Sequence, residues 1–348
     1  MKRVKIAGRW IGENQPTFVI AEIGVNHNGK IELAKELVKA AVRSGVDAVK
    51  FQTFSADKLV TQEAPKAAYQ RRVGEATETQ YSMLKKLELT KDELQELMKC
   101  ARDLGAIFLS TPFDEQSADL LVRLGVPALK IGSGDLTTLP LLEHVAEKQM
   151  PTILSTGMST LGEVEEAVQI FRDAGNEELI LLHSTSCYPA RIEDVNLRVI
   201  KTLQQAFQFP VGYSDHTLST TVPIAAVALG AVIIEKHFTL DRTLPGPDQQ
   251  ASMEPSELKE IVTNIRVMEK ALGSPIKKPV EAELGVRKTT RRSIVANRDI
   301  PSGTTIKREM ISFKRPCVGL PPKFWSRVVG RKAKVDIKKD QPIGWKEI

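Results

Sequence analysis

The sequence predicts an α/β fold, a (β/α)₈ TIM barrel followed by a small mixed, mainly β domain. Short apolar runs that end in polar residues alternate with helix-like segments, and this unit occurs eight times before about residue 272. Strands that alternate with helices favour a parallel sheet, and eight such units favour closure into a barrel. A doubly wound open sheet is the weaker alternative, because no Gly-x-Gly-x-x-Gly loop follows the first strand.

Expected strands and helices alternate along the chain. The eight expected strands are Phe18–Ile23, Ala48–Thr53, Ile107–Thr111, Leu129–Ser133, Thr152–Thr156, Leu179–Ser184, Val211–Ser214 and Val232–His237. Apolar residues recur at helical spacing between them, in Ile31–Ser44, Asp92–Leu104, Glu115–Leu124, Leu161–Ala174 and Thr220–Leu229. A glycine follows each of these five segments, as is typical where a helix ends.

The same pattern predicts the domain boundaries. Residues 1–272 would form the barrel, with residues 1–16 as an N-terminal hairpin at its base and 55–91 as an insertion beside the active face. Residues 273–289 contain Gly273, Pro275 and Pro279 and indicate a linker. Residues 290–348 show short β-like runs at Ser293–Ala296, Pro301–Gly303, Lys314–Pro316 and Lys332–Val335.

Composition is that of a soluble globular protein. Of the 348 residues, 42% are hydrophobic and 26% are charged, and no apolar run is long enough to span a bilayer. The N-terminus does not have the pattern of a signal peptide, and three widely spaced cysteines indicate reduced thiols. We therefore expect a cytoplasmic protein without membrane partners.

Charge is divided unevenly along the chain. Residues 287–348 carry 17 Lys and Arg against 5 Asp and Glu, whereas the whole chain has a net charge of only +6. A basic segment can bind nucleic acid, or it can dock on an acidic body in the same or a second subunit. This segment lacks a cluster of stacking aromatic residues, so we favour docking and expect no nucleic-acid partner.

Two histidines end consecutive expected strands. His216 and His237 lie 21 residues apart in the sequence, each after a strand-like run. If these strands are parallel neighbours, both imidazoles emerge at the same end of the sheet and can share a divalent metal. A single histidine is more often a hydrogen-bonded structural residue, but the pair favours metal binding.

Two lysines interrupt apolar strands. Lys50 and Lys130 lie in strand-like runs, and lysine is rarely buried without a partner. An inward lysine at a barrel mouth binds an anion or performs covalent chemistry, and the structural alternative is an internal ion pair, for instance with Glu22. Two lysines with nearby hydroxyls suit a phosphate, whereas a Schiff-base aldolase needs only one.

Several polar positions in loops are weaker candidates. Asp135 ends a small glycine turn that could bind an anion through backbone N–H groups, while its own carboxylate could accept bonds from a sugar hydroxyl. Asp248 follows a Pro-Gly-Pro turn just past His237 and could orient a substrate or act as a base. Tyr188 follows the sixth strand, and Arg315 lies before a proline in the basic segment.

Taken together, these segments resemble the sialic acid synthase family over essentially the whole chain. The residues after 290 resemble the antifreeze-like domain of that family, also called SAF. The matching runs are Ala21-Glu22-Ile23-Gly24-Val25-Asn26-His27-Asn28-Gly29, Lys50-Phe51-Gln52-Thr53, Leu109-Ser110-Thr111-Pro112-Phe113-Asp114, Lys130-Ile131-Gly132-Ser133-Gly134-Asp135, Ser155-Thr156-Gly157-Met158, Gly212-Tyr213-Ser214-Asp215-His216, Glu235-Lys236-His237-Phe238-Thr239, Pro245-Gly246-Pro247-Asp248 and Lys314-Arg315-Pro316.

The resemblance implies a metal-dependent transferase of the N-acetylneuraminate synthase type. Such an enzyme condenses phosphoenolpyruvate with an N-acetylated hexose, typically N-acetylmannosamine, to give a nine-carbon keto sugar acid and phosphate. His216 and His237 would hold Mn²⁺, with Mg²⁺ or Co²⁺ as alternatives. The family also implies a domain-swapped homodimer, in which Arg315 would reach the partner's site and contact the N-acetyl group.

The resemblance also assigns residues to the two substrates. The residues that would hold phosphoenolpyruvate are Lys50, Thr111, Lys130, Ser133, Ser155 and Ser214. Those that would position the sugar or an activated water are Glu22, Gln52, Asp135, Ser186, Tyr188 and Asp248.

Departures from the family pattern lie at the sugar end. Asp135 stands where many sialate synthases have glutamate, Ser186 where some have asparagine, and Val73 where bacterial relatives often have asparagine. Related branches use 2,4-diacetamido hexoses to make legionaminic or pseudaminic acid, so the sugar remains open. Two other classes also remain open, a Schiff-base pyruvate aldolase that uses Lys50 or Lys130 and a non-enzymatic sugar- or ice-binding protein.

Overall fold

The computed structural model describes residues 2–67, 70 and 78–348. The departure predicted at Val73 lies outside the described residues. The chain forms two compact units, Met1–Gly273 and Ser274–Ile348. No helix of the described residues is both long and apolar enough to cross a membrane.

The first unit is a nearly closed barrel of eight parallel strands. The strands are β3 (Phe18–Gly24), β4 (Ala48–Thr53), β5 (Ile107–Pro112), β6 (Leu129–Ile131), β7 (Thr152–Ser155), β8 (Leu179–Ser184), β9 (Val211–Asp215) and β10 (Ile233–His237). Hydrogen-bonded neighbours follow the order β5-β4-β3-β10-β9-β8-β7-β6, and β5 and β6 lie side by side where the two ends of the sheet meet. This architecture confirms the predicted fold class.

Helices surround the barrel and begin and end at residues suited to those positions. Thr90 and Thr160 each form a capping box with a glutamate three residues later, and Gly125 ends a helix in the left-handed conformation. The helices of this unit are α1 (Ile31–Arg43), α2 (Ala56–Leu59), α3 (Gln80–Lys85), α4 (Lys91–Asp103), α5 (Glu115–Leu124), α6 (Leu139–Ala146), α7 (Leu161–Asp173), α8 (Val199–Phe207), α9 (Thr221–Ala228) and α10 (Pro255–Leu272).

The barrel has one core inside the sheet and another between the sheet and its helices. At the base, the antiparallel strands β1 (Val4–Ile6) and β2 (Arg9–Ile11) pack Val4, Ile6 and Ile11 against inward-facing strand residues. At the opposite end the interior becomes polar. This division is typical of TIM barrels, in which packing fills the bottom and function occupies the carboxyl ends of the strands.

The second unit is small and mainly irregular. It contains α11 (Glu281–Thr290), the antiparallel strands β11 (Ser293–Ala296) and β12 (Ile311–Lys314), and α12 (Trp325–Val328). Its own apolar cluster includes Ile294, Ile306 and Ile337. Three expected β-like runs differ. Residues 301–303 contain a turn and no strand, the strand near Lys314 ends at that residue, and Lys332 forms only an isolated bridge with Thr305. Helix α11 lies largely within the expected linker, and all its residues are exposed.

Candidate functional site

The site lies at the carboxyl ends of the barrel strands, where cross-strand register places polar side chains side by side. Glu22 of β3 pairs in register with Lys50 of β4, and Ser214 of β9 pairs with Glu235 of β10. Residues in register on parallel strands point to the same face. All four side chains therefore point into the barrel, and all four are at most 5% exposed.

Lys50 lies at the centre of a buried group of charges. Its Nζ is 2.5 Å from Glu22 Oε2 and 3.8 Å from Glu235 Oε2, and it donates a hydrogen bond of 3.0 Å to Thr111 Oγ1. Gln52 donates to the other Glu22 oxygen at 3.3 Å. The internal ion pair considered from the sequence is thus present, and it holds the lysine beside the hydroxyl group expected to contact phosphate.

Lys130 completes the group from the other side. Its Nζ donates to Ser155 Oγ at 2.7 Å and to the Ile131 carbonyl oxygen at 3.0 Å, and it lies 3.8 Å from Glu235 Oε1. Ser214 donates to the same Glu235 oxygen at 2.9 Å. Glu235 therefore bridges both lysines, yet sequence analysis did not select it. We define Glu22, Lys50, Lys130 and Glu235 as the charged cluster.

The charged cluster sets unusual proton affinities. Burial raises the pKa of Glu22 to about 7, although Lys50 opposes the rise, and burial lowers the pKa of Lys130 to about 8. Burial would lower the pKa of Lys50, but Glu22 and Glu235 raise it overall. Burial disfavours the Glu235 carboxylate, yet the two lysines lower its pKa. The cluster thus contains groups able to exchange a proton near neutral pH.

Three serine hydroxyls converge beside the charged cluster. Ser133 Oγ lies 3.1 Å from Ser184 Oγ and accepts a hydrogen bond of 3.0 Å from the Gly157 N–H. A Cβ at Gly157 would lie 2.3 Å from Ser186 Oγ and under 3 Å from the other two hydroxyls, so only glycine fits there. Ser184 and Gly157 were not among the selected residues, and the close approach depends on residues at the ends of β6, β7 and β8.

The two histidines meet as predicted from their strands. Their ring centroids are 5.5 Å apart, and Tyr188 packs at 4.3 Å from the His216 ring and 5.6 Å from the His237 ring. His216 Nδ1 lies 2.8 Å from the Thr185 carbonyl oxygen. Because a carbonyl can only accept, Nδ1 carries the proton and Nε2 keeps its lone pair.

Both rings are suited to binding a cation. Burial lowers the pKa of His216 and lowers that of His237 well below its usual value, so both are neutral near pH 7. His237 Nδ1 is buried without a hydrogen-bond partner among the described residues, and Asp248 Oδ2 lies 4.0 Å away. Neutral imidazoles with a free lone pair fit a divalent metal.

The candidate metal site consists of two histidine ligands and not of a complete set of protein ligands. No group of three or more His, Cys, Asp or Glu arranged for a metal occurs within residues 2–67, 70 and 78–348. A metal held by His216 and His237 would therefore keep positions open for substrate oxygens and water, as a Lewis-acid site requires.

Asp215 and Lys236, next to the two histidines, form a separate structural pair. Lys236 Nζ lies 2.6 Å from Asp215 Oδ2 and also donates to the Thr217 carbonyl oxygen, and both side chains are fully buried. Successive strand residues alternate between faces, so Lys236 lies on the opposite face from Glu235. This ion pair ties together the strand ends that carry the histidines.

The candidate sugar residues lie in loops and at strand ends. A cavity of about 270 Å³ is lined by Gln52, Tyr188, His237 and Asp248. Burial raises the pKa of Asp248 to about 6. Asp135 lies outside this cavity lining, in the short helical turn Ser133–Asp135, and burial raises the pKa of its carboxyl to about 6.

Ser186 and Arg315 are placed differently from that group. Ser186 Oγ, one of the three converging serine hydroxyls, is buried without a hydrogen-bond partner in the described part of the chain. Arg315 is exposed in the second unit, directly after β12. Its expected contact with a sugar in a partner subunit stays a prediction.

Comparison with known proteins places this arrangement in a family. Residues 37–277 match the NeuB family and residues 291–348 match the SAF domain. The chain is 48% identical to the N,N'-diacetyllegionaminic acid synthase of Legionella pneumophila, over 97% of this chain and 96% of that protein. It is 38% identical to the human N-acetylneuraminate-9-phosphate synthase, over 97% of this chain and 94% of that protein.

A solved structure agrees with the sequence relatives. The crystal structure of the N-acetylneuraminic acid synthetase from Leptospira borgpetersenii, in complex with citrate, matches with a TM-score of 0.73 and 36% identity, and the match covers 82% of this chain and 95% of that one. The extent of these matches confirms the resemblance drawn from the motifs. The chain belongs to the NeuB family of sialic, legionaminic and pseudaminic acid synthases and ends in a SAF domain.

Proposed function

We propose that this protein condenses phosphoenolpyruvate with the open-chain aldehyde of an N-acetylated hexose such as N-acetylmannosamine. The observation that carries the proposal is the pairing of two buried lysines with two buried, neutral imidazoles at one end of a barrel. The lysines and adjacent hydroxyls suit a phosphorylated carboxylate, and the imidazoles suit a cation beside a carbonyl group. Relatives named for related syntheses cover nearly the whole chain.

The charged cluster would bind phosphoenolpyruvate. Lys50 and Lys130 would pair with its phosphate and carboxylate, and Thr111, Ser155 and Ser133 would donate hydrogen bonds. Glu22 and Glu235 balance the two lysines before substrate binds, which keeps two cations buried in fixed positions. Binding an anion then replaces carboxylate partners with phosphate oxygens at little cost in reorganisation.

The reaction would join two carbons and release phosphate. C3 of phosphoenolpyruvate attacks the aldehyde carbon, and the aldehyde oxygen takes up a proton and becomes a hydroxyl. The oxygen of a water molecule adds to C2 and becomes the C2 carbonyl oxygen, while the bond between C2 and the phosphate oxygen breaks and phosphate leaves with the remaining proton. His216 and His237 would hold a divalent cation, which when bound supplies a Lewis acid to the aldehyde. Glu22, with a pKa of about 7, can accept the proton of the incoming water, and Asp248 can position a sugar hydroxyl.

A coupled assay of phosphate release tests the proposal. Purified protein is incubated with phosphoenolpyruvate, Mn²⁺ and a panel of N-acetylated hexoses, and the sugar acid is identified by mass. We expect phosphate release only with an aldose present, loss of activity with a chelator and recovery with Mn²⁺. Aldose-independent release, or full activity after exhaustive chelation, would count against it.

A pyruvate aldolase remains the second candidate because burial lowers the pKa of Lys130 to about 8, as Schiff-base chemistry favours. Lys50 is a poorer nucleophile, since its paired carboxylates raise its pKa. Borohydride reduction in the presence of pyruvate separates the two activities. The proposed synthase forms no covalent adduct, whereas an aldolase would gain the mass of a reduced pyruvyl group on Lys130.

We further propose a homodimer in which Arg315 of one subunit serves the site of its partner. The exposed position of Arg315 and the opposite net charges of the two parts of the chain support this arrangement. Mixed dimers test it. A dimer formed from His216→Ala and Arg315→Ala subunits should regain activity that neither variant has alone, and the absence of recovery would indicate that each subunit uses its own Arg315.

A further inference from the structure

His216 lies at the centre of a tight turn just past the end of β9. The Thr217 N–H donates a hydrogen bond of 2.9 Å to Asp215 Oδ1, and the Thr217 hydroxyl donates to Asp215 Oδ2 at 3.2 Å. An aspartate that binds the backbone N–H two residues later forms a turn of defined shape around the residue between them. The residues on both sides of His216 therefore hold its backbone in one position.

The residue before His237 binds both ends of this turn. Lys236 Nζ lies 2.6 Å from Asp215 Oδ2 and also donates to the Thr217 carbonyl oxygen. The backbone pairing of β9 with β10 ends at Asp215 and Lys236, so His216 lies beyond the last strand pair. The lysine side chain thus continues the connection between the two strands past the end of the sheet. We define Asp215, Thr217 and Lys236 as the strand-end bridge.

The strand-end bridge is completely buried. The side chains of Asp215 and Lys236 are 0% exposed, and Thr217 is also 0% exposed. Tyr213 donates a further hydrogen bond of 3.2 Å to Asp215 Oδ1. Because separating two buried opposite charges leaves each of them uncompensated, the pair keeps its geometry far better than an exposed ion pair does.

The two imidazoles differ in how their rings are held. His216 Nδ1 is bonded to the Thr185 carbonyl oxygen, whereas His237 Nδ1 has no hydrogen-bond partner in the described part of the chain. The His237 ring therefore depends on packing and on the position of its own backbone for alignment with His216. The residue that precedes it in that backbone is Lys236, which carries the bridge.

We propose that the strand-end bridge is a positioning element of the metal site, which sets the separation of the His216 and His237 imidazoles and thereby the affinity for a divalent cation. The inference rests on the proposed function, because it takes the two histidines as the metal ligands. Lys236 lies on the opposite strand face from Glu235, so the bridge acts on the cation through the histidines and not by contact.

A double variant tests this role without leaving a buried charge unpaired. Asp215→Asn combined with Lys236→Met removes both charges and the bond from Nζ to the Thr217 carbonyl oxygen, while the asparagine oxygen still accepts from the Thr217 N–H. Residues that orient metal ligands typically change metal affinity by about 10-fold to 100-fold, and we expect the Kd for Mn²⁺ to rise by that factor. The electron paramagnetic resonance signal of unbound Mn²⁺, titrated into metal-free protein, measures it.

Two further measurements distinguish positioning from a general loss of structure. Urea unfolding of the double variant should remain cooperative. KM for phosphoenolpyruvate, measured at saturating Mn²⁺, should stay constant, because the charged cluster lies on the inner face of the sheet and keeps its own ion pairs.

Asp47→Asn combined with Arg266→Met is the matched control. Arg266 Nη2 lies 3.0 Å from Asp47 Oδ2, which also accepts a hydrogen bond of 2.8 Å from the Val19 N–H near the start of β3. This ion pair also connects strands of the barrel to a neighbouring segment, but it lies at the end opposite to the histidines. Its removal should lower stability and leave the Kd for Mn²⁺ unchanged.

An unchanged Kd in the bridge double variant, or an equal rise in the control, would overturn the positioning role. If the double variant does not fold, Thr217→Val decides the question, because it keeps both charges and removes only the hydroxyl bond to Asp215. A smaller rise in Kd in Thr217→Val supports the bridge, and an unchanged Kd would overturn it. Failure of the parent protein to bind Mn²⁺ would instead overturn the proposed metal site, and the inference with it.

Discussion

The two ends of the candidate site are built in different ways. At the charged cluster, every side chain comes from a barrel strand, and cross-strand register sets which residues meet. At the sugar end, Asp248 and Tyr188 come from loops, and the other residues that line the 270 Å³ cavity come mostly from the insertion after β4 and from the end of β5. The sheet thus fixes the end that would handle the anion, whereas the end that would select the sugar depends on how loops pack on one another.

A hydrogen-bonded network supports the loop end. Asn26 donates to the Phe238 carbonyl oxygen at 2.9 Å and to Ser252 Oγ at 2.8 Å, and Gln249 donates to the Asn26 carbonyl oxygen at 2.9 Å. Ser252 in turn donates to the carbonyl oxygen of Asp248 at 2.7 Å. This network joins residues more than 200 positions apart in the sequence, so substitutions in either loop can move Asp248 without disturbing the strands.

The largest difference between the two ends should appear when a buried charge is removed. Lys50→Met would leave the Glu22 and Glu235 carboxylates facing each other without their shared cation. We expect this change to lower the free energy of unfolding by about 3–5 kcal/mol and to abolish turnover. Urea denaturation followed by circular dichroism measures the stability.

Lys85→Met is the matched control, because Lys85 also pairs with two carboxylates but lies on the surface. It should change stability little, since exposed ion pairs are weak. Equal losses of stability in Lys50→Met and Lys85→Met would show that the charged cluster is no more interdependent than a surface ion pair. The proposed difference between the two ends of the site would then be wrong.

The histidines mark the boundary between the ends, and their removal should separate activity from stability. His237→Ala removes one of the two proposed metal ligands but leaves no partner unsatisfied, because its Nδ1 has no hydrogen bond among the described residues. We expect turnover to fall by at least about 100-fold and calorimetric binding of Mn²⁺ to be lost, with the cooperative unfolding transition retained.

His183→Gln provides the comparison for that experiment. His183 is also a buried histidine near the end of a barrel strand, but its Nε2 bonds to the Val195 carbonyl oxygen. It should keep Mn²⁺ binding. Loss of binding in both variants would mean that packing at the barrel end, and not ligation by the histidine pair, controls the metal.

The difference between the strand-borne end and the loop-borne end of the site also explains how much of it the sequence could predict. All eight strands were expected within one or two residues of their observed bounds, and Lys50 and Lys130 stood out because a charged residue interrupts an apolar run. Glu235 also interrupts an apolar strand, but it was not selected from the sequence. Strand alternation places it on the same face as His237. The sequence pattern was therefore sufficient to identify Glu235.

The remaining features depend on tertiary packing that strand patterns do not encode. Gly157 is required by hydroxyls at the ends of two different strands, Ser133 after β6 and Ser184 and Ser186 at the end of β8. The cavity beside His237 forms only when residues near 60, 83 and 113 come together. The pairing of Asp215 with Lys236 required knowledge of which strand face each residue occupies. Local patterns thus identified most strand-borne residues but not the contacts among loops.

Removing the charge of Asp135 should change the free energy of unfolding in the opposite direction to Lys50→Met. Burial raises the pKa of Asp135 to about 6, above its usual value of 3.8, so the folded protein binds this proton more tightly than the unfolded chain does. The contribution of this carboxyl to stability therefore falls as the pH rises from about 4 to 6. We expect Asp135→Asn to stabilise the protein at pH 7.5 by on the order of 1–3 kcal/mol.

Urea denaturation of both proteins at pH 4, 5, 6 and 7.5 measures this effect. The difference should be small at pH 4 and reach its full size above pH 6. If Asp135→Asn is less stable at pH 7.5, the carboxylate has a favourable partner in the fold, and the two ends are more alike than the structure indicates.

The smallest effect is expected where one side chain holds the loop that carries Asp248. Asn28 donates to the Pro245 carbonyl oxygen at 2.6 Å, and its backbone has a positive φ of 52°. Asn28→Gly keeps that conformation accessible and removes only the amide, so we expect a stability loss of about 1 kcal/mol or less. Because the loop lines the sugar cavity and not the charged cluster, KM for the sugar should rise a few-fold while KM for phosphoenolpyruvate stays constant. Asn14→Gly is the control, because Asn14 also has a positive φ, of 61°, but lies in the N-terminal segment before the barrel. It should change neither KM. A parallel rise in both KM values for Asn28→Gly would show that the two ends are mechanically coupled.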